Sequence, residues 1–246
     1  MSSLRILGES GTNELFSMKI IENTSSEILV LHFWDEFLKS LIMLEREQRI
    51  VIGLSWGSSF DIFYTFLRNH FGEIPVDLRK KIHFVFLDER IVDIESNERN
   101  EKQLREKFLD ALIEQKLLNE SQILSIDTTS SDVRLEYSSR VPKINIGFFG
   151  VGPDGHIASL FPSHNLLYST ENSYLEIKDS PKPPSHRITV SPKMILEMNT
   201  VFVAFMKGKE NAYRNFMDDT LSWEVCPVKF LLEIQKSILL TNIDTY

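Results

Sequence analysis

Short apolar runs that stop abruptly at polar or glycine-rich motifs constrain this chain more than any other feature. The run at Ile50–Leu54 ends in Ser55-Trp56-Gly57-Ser58-Ser59, and the run at 82–87 ends in Asp88-Glu89-Arg90. A third, at 144–149, ends in Gly150-Val151-Gly152-Pro153-Asp154-Gly155-His156. Segments of helical period separate them, and strands that alternate with helices predict a doubly wound, mostly parallel α/β sheet. In such an open sheet the loops at the carboxyl ends of the strands gather on one edge, where ligands bind. Motifs far apart in sequence are therefore expected to meet.

The helical periods support this reading. Ser25-Ser26-Glu27 is a capping signal before Ile28, Leu29, Leu31, Phe33, Phe37, Leu38, Leu41 and Leu44. Phe60, Phe63, Leu67 and Phe71 mark a second helix, and Leu104, Phe108 and Leu112 mark a charge-rich third. Farther on, Arg187–Val190 reads as a strand, and Ser191-Pro192 as the cap and first turn of a helix. Residues 201–206 and 238–240 read as strands, with a helix over 208–218 between them. No repeat or linker interrupts the pattern, so one domain over residues 1–246 is expected.

Charge and cysteine content narrow the function. The net charge is −8 with no basic run, which disfavours nucleic acid and anionic membranes as partners. The single cysteine, Cys226, cannot form an intrachain disulfide and fits a reducing compartment. Residues 1–12 lack a secretory pattern, and no stretch is long and apolar enough to span a bilayer, so a cytoplasmic location is expected. The seventeen phenylalanines are spread through apolar stretches, as core side chains are.

Each motif carries a chemical expectation. Backbone N–H groups at a helix start, with Ser55, Gly57, Ser58 and Ser59, can cradle a phosphate. The pattern is neither a P-loop nor a dinucleotide fingerprint, so neither ATP nor NAD is expected. Arg90 offers a planar fork for phosphate or carboxylate, and Asp88 a carboxylate beside it. The glycines around Asp154 and His156 specify a tight path that presents a base whose ordinary pKa lies near neutrality. A zinc site from His156, His164 and Asp154 has no familiar ligand spacing. Prolines stiffen Ser180-Pro181-Lys182-Pro183-Pro184-Ser185-His186-Arg187, so Lys182 is presented with little freedom to lose.

Taken in order, these motifs resemble those of the 6-phosphogluconolactonase family. The resemblance rests on Ser55 to Ser59, on Asp88-Glu89-Arg90 with Ser96-Asn97, on Gly150 to Pro162, and on Ser180 to Thr189. It implies metal- and cofactor-independent hydrolysis of a phosphorylated sugar lactone in the oxidative pentose phosphate pathway. In that reading His156 is the base that activates water, and Asp88 and Asp154 orient or tune the site. Arg90 and Lys182 bind substrate or stabilise charge. Ser55, Gly57, Ser58 and Ser59 hold the phosphate, with Arg187 a further phosphate ligand. The resemblance also brings one protein partner into consideration, the glucose-6-phosphate dehydrogenase that supplies such a lactone.

Two alternatives stand beside it. A glucosamine-6-phosphate deaminase would continue after its Asp-Gly-His as Ala-Phe-Asn-Glu-Pro, where this chain has Ala158-Ser159-Leu160-Phe161-Pro162, and would carry tyrosine at Arg90. A sugar-phosphate-binding regulator without catalysis is suggested by Trp56, which stands where the family has a second glycine.

Overall fold

The computed structural model describes residues 3–7 and 17–243, with side chains from residue 18 onward. Most of residues 1–12, and the last three residues of the tail, lie outside that range. The larger sheet contains β1 (Ser3–Leu7), β2 (Ser17–Glu22), β3 (Ile50–Leu54), β4 (Ile82–Phe86), β6 (Ile146–Gly150), β9 (Thr200–Phe205) and β10 (Lys236–Thr241). Its order is β1-β2-β10-β9-β6-β3-β4, with β1 antiparallel and the remaining six parallel. From β3 the chain moves outward to β4, but from β6 it moves the other way, to β9 and β10. The order therefore reverses between β3 and β6, the place where a doubly wound sheet opens a crevice.

Helix α1 (Ser26–Met43) begins at the predicted cap, where Ser25 Oγ accepts the N–H of Ile28. Its buried stripe is Leu29, Val30, Phe33, Trp34, Phe37 and Leu41, whereas Ile28 and Leu31 are 44% and 58% exposed. The i, i+3, i+4 spacing of the buried set selects one face, and those two fall outside it. Helix α2 (Asp61–His70) follows the serine turn and buries Phe63, Tyr64 and Leu67. Between the helices and the sheet the phenylalanines form one cluster. Phe60 stacks on Phe148 of β6 at 5.4 Å, while Phe33 and Phe202 meet Phe148 edge-on at 5.5 Å each. Such pairs add about 0.5–1.5 kcal/mol apiece beyond the apolar area they bury.

The Asp88-Glu89-Arg90 segment, where the apolar run at 82–87 ends, continues as an extended segment of its own. It is strand β5 (Asp88–Arg90), paired antiparallel with β8 (Arg187–Val190), which pairs in turn with β7 (Tyr174–Ile177). Leu87 passes the chain from one sheet to the other. Its N–H donates to Leu54 O at 2.8 Å, and its carbonyl accepts Val190 N at 2.8 Å. Strands β1, β2 and β7 and the helix Val133–Arg140 were not legible as periods, because each is short or flanked by polar residues.

One buried charge stabilises the outer layer. Glu36 on α1 is 5% exposed and meets Lys19 of β2 at 2.8 Å, Lys39 at 3.0 Å and Lys236 of β10 at 3.4 Å. Burial alone would raise its pKa, but the three ammonium groups outweigh it and bring the carboxyl down to about 2 from 4.5. A depressed folded-state pKa supplies stability that is present above 4.5 and lost as pH falls toward 2. We expect Glu36→Gln to cost about 2 kcal/mol at neutral pH, after allowance for the partly solvated lysines. In urea unfolding the gap from wild type should narrow below pH 4.5, and a pH-independent gap would show the loss to be packing rather than charge.

Candidate active site

The crevice between β3 and β6 is built first by backbone stitching. Ser55, at the end of β3, donates its hydroxyl to Phe148 O at 2.9 Å and accepts Gly150 N at 2.8 Å. Tyr64 Oη, from α2, donates to Ser55 O at 2.6 Å. Ser55 thus lines the crevice with its hydroxyl engaged by the sheet, whereas Ser58 is exposed and nothing approaches within 4 Å of where a Gly57 Cβ would stand. Trp56 lines the crevice wall and packs part of its indole against the core.

The loop after β6 closes on itself. Gly152 N donates to His156 O at 2.9 Å, and Gly155 N donates to Gly152 O at 3.0 Å. Gly155 has φ +83°, and a Cβ there would lie 2.9 Å from Cys226 Sγ. Gly152 is required for a different reason. A Cβ on it would stand 1.9 Å from His156 Cε1 and 2.0 Å from Nδ1, so the imidazole lies directly over its bare backbone. A glycine permits that approach and no other residue does.

Asp154, His156 and Lys182 form one group. His156 Nδ1 is hydrogen-bonded to Asp154 Oδ1, and Lys182 Nζ lies 2.9 Å from Asp154 Oδ2 and 3.2 Å from His156 Nδ1. Burial works against the Asp154 charge, but its bond with His156 and the Lys182 ammonium hold the carboxyl well below the usual carboxylate range. An ionised carboxylate only accepts, so the neutral imidazole carries its proton on Nδ1 and keeps the Nε2 lone pair free to act as a base. The ring also tilts against Phe161 at 4.7 Å.

A cavity of about 190 Å³ collects the remaining groups: the 55–59 loop, Asp88, Arg90, His156, Arg187 and Lys209. Arg90 donates Nη1 to Glu98 O at 2.6 Å, while its buried Nε finds no hydrogen-bond partner among the described residues. Asp88 reaches the wall with its carboxylate engaged, accepting Ser159 Oγ at 2.7 Å and Asn100 Nδ2 at 3.1 Å. His164 turns to Asp179 rather than toward His156. Sequence reasoning missed Lys209, and missed Ser159 as the contact of Asp88. Lys209 follows Gly208 after β9, another strand ending at the same edge, and that position was its signal. Burial lowers its pKa, as does the nearby Lys182 ammonium. Three cations and one carboxylate line this cavity of a net-negative chain. A larger cavity of about 680 Å³ lies beside β7, but Arg134, Lys178 and His186 there are paired with Glu171 and Glu176.

Comparison with known proteins gives the same direction. Residues 26–240 match the family model of glucosamine-6-phosphate isomerases/6-phosphogluconolactonase. A 6-phosphogluconolactonase from Borreliella burgdorferi is 31% identical over 235 residues, covering 92% of this chain and 96% of that one. A probable 6-phosphogluconolactonase from Drosophila melanogaster is 29% identical over 213 residues, covering 82% and 84% of the two chains. In fold, a 6-phosphogluconolactonase from Trypanosoma brucei superposes with a TM-score of 0.74 at 18% identity, over 92% of this chain and 96% of that one. The doubly wound sheet, the order of the motifs and these matches agree: the chain belongs to the glucosamine-6-phosphate isomerase/6-phosphogluconolactonase family.

Proposed function

We propose that this chain, acting as one domain, hydrolyses 6-phospho-D-glucono-1,5-lactone to 6-phosphogluconate. The observation that carries the reading is the Asp154–His156–Lys182 group at a cavity lined by Arg90 and Lys209. His156 Nε2 removes a proton from a water as its oxygen attacks the lactone carbonyl. The tetrahedral oxyanion is stabilised by nearby cationic N–H donors, worth most where water is excluded. Collapse breaks the bond from carbonyl carbon to ring oxygen, and that oxygen takes the proton back from the imidazolium. The new carboxylic acid then releases one proton to solvent. The sugar's phosphate is placed on the 57–59 loop at the start of α2, with Lys209 and Arg90 to neutralise it, and takes no part in the chemistry.

A deaminase reading lacks its carboxylate. Leu160 and Phe161, which follow the histidine loop, are apolar and buried at 0% and 1% exposure. A cytoplasmic setting, with glucose-6-phosphate dehydrogenase as the functional source of lactone, fits the single thiol, which suits a reducing compartment. No helix among the described residues is long and apolar enough to cross a membrane.

The direct test is proton release on adding freshly generated lactone, with and without protein. Catalysis should exceed the spontaneous rate, and His156→Ala should lower it by about 10²–10⁴. Stabilisation by 6-phosphogluconate without any turnover would instead favour the regulator. Gly152→Ala should cut turnover by about 10², the scale of a displaced catalytic group. Its melting should change far less than its turnover, because the intruding methyl meets side-chain atoms of His156 and Asp154 rather than backbone. Lys209→Ala should raise KM well beyond Lys207→Ala, and equal effects would assign the phosphate's cation elsewhere.

A further inference from the structure

Lys182 does its work only if the segment that carries it is held still. Ser180 Oγ bonds Lys182 O at 3.0 Å and Lys182 N at 3.3 Å, and Ser180 N reaches Ser185 O at 3.1 Å. Three successive carbonyls then converge on a single side chain. Arg187 donates Nη2 to Lys182 O and Pro183 O, at 3.1 Å each, and Nε to Pro184 O at 2.9 Å. Its Nη1 donates to Ser159 Oγ at 3.3 Å, and that hydroxyl donates to Asp88 Oδ2 at 2.7 Å. Arg187, Ser159 and Asp88 are 3%, 0% and 4% exposed.

A guanidinium carries five N–H donors, and four of those on Arg187 are already committed. Bidentate capture of a phosphate would break bonds to the Lys182 loop or to Ser159. A buried guanidinium also needs a counter-charge, and Asp88 supplies it through one shared hydroxyl. The Arg187 guanidinium and the Lys182 ammonium both lie over the Phe161 ring, at 5.6 and 5.8 Å from its centroid, within cation–π range. The same ring packs against His156. Apart from the arm to Ser159 and Asp88, the contacts of Arg187 thus lead to the segment that carries the lysine or to the ring that packs on the base.

We propose that Asp88, Ser159 and Arg187 form a buried strut that positions Lys182 against Asp154 and His156, so that Arg187 and Asp88 act through the lysine rather than on the substrate's phosphate. They are positioning residues, and the inference rests on the hydrolytic reading above for its kinetic readout.

The test is a double-mutant cycle of Arg187→Met with Lys182→Ala, with Ser159→Ala as a milder second cut through the strut. Each single variant should lower kcat, by about 10-fold to 10²-fold for displaced groups. The double variant should fall no lower than the worse single, because both remove the same interaction. KM and inhibition by inorganic phosphate should stay within about threefold, the scale of a near-neutral substitution, because the variants remove no uniform binding of the phosphate. Arg187→Lys should restore little, since one ammonium cannot span three carbonyls and a hydroxyl. Losses that multiply, or a large loss of phosphate inhibition with kcat intact, would overturn the strut and make Arg187 a ligand. A readout free of turnover separates this from the function itself. In histidine-labelled protein, the ring nitrogen resonances of His156 in Arg187→Met and Ser159→Ala should move toward those of Lys182→Ala. Resonances left at their wild-type positions would also overturn the proposal. Wild-type protein without lactone turnover would sink the hydrolytic reading alone, leaving those resonances to decide the strut.

Discussion

The parallel pairing of β3 with β6 is the constraint on which the rest of the molecule depends. These strands adjoin where the winding of the sheet reverses, so among the described residues the two chain paths leave their carboxyl ends in opposite directions and open a crevice between them. The pairing is secured from both sides. Phe148 gives its ring to the aromatic cluster and its carbonyl to Ser55, and Ser55 takes the N–H of Gly150 in return. One residue of slip would turn Phe148 out of its cluster and undo both bonds. The serine turn and the histidine loop, some ninety residues apart, therefore keep a fixed separation.

Electrostatics works locally against the global field. A chain of net charge −8 repels a phosphorylated ligand at a distance, with the repulsion screened beyond about 8 Å at physiological salt. Inside the cavity Arg90, Arg187 and Lys209 reverse the sign. These cations are unequal. Arg187 is engaged by backbone and hydroxyl acceptors, whereas Arg90 keeps a buried Nε unpartnered and Lys209 is held near Lys182 despite mutual repulsion. Groups kept in such costly states are the ones a ligand can relieve.

The sequence made the strand ends and the histidine loop legible because each is a local signal. Apolar runs stop at glycine or at charge, and Ser25 and Ser191 cap their helices where capping chemistry places them. The second sheet was not legible. Strand β5 has three residues, all charged, and becomes a strand only because β8 supplies its partner. The direction of the polar side chains was equally hidden. Ser55 is a serine in a phosphate-like turn by sequence and a stitch between strands by contact. Asp88, read as a residue that orients or tunes the site, is bonded to Ser159 and Asn100, both contacts set by tertiary placement. A motif names the residues present at an edge, and the packing behind that edge decides which way each one faces.

That packing also explains why the motif includes a carboxylate that never reaches the cavity. A sheet of three short strands needs packing behind it, and β5 must still hold Asp88 and Arg90 in place. Glu89, between them, points the other way and is fully buried. It accepts Arg90 N at 2.7 Å, Asn100 N at 2.7 Å and Glu101 N at 2.8 Å, and lies 3.6 Å from the Arg99 guanidinium. Burial pushes its pKa up to about 7 although all four groups favour the anion. Such a carboxylate is a poor source of net stability, since desolvation offsets most of what its partners return. What it does provide is direction. By gathering the free N–H groups at the start of the Asn100–Leu104 helix it locks that helix to β5, and Asn100 then reaches back to Asp88. Alternation along a strand does the rest, since side chains two apart share a face. With Glu89 fixed inward, Asp88 and Arg90 are turned together toward the site.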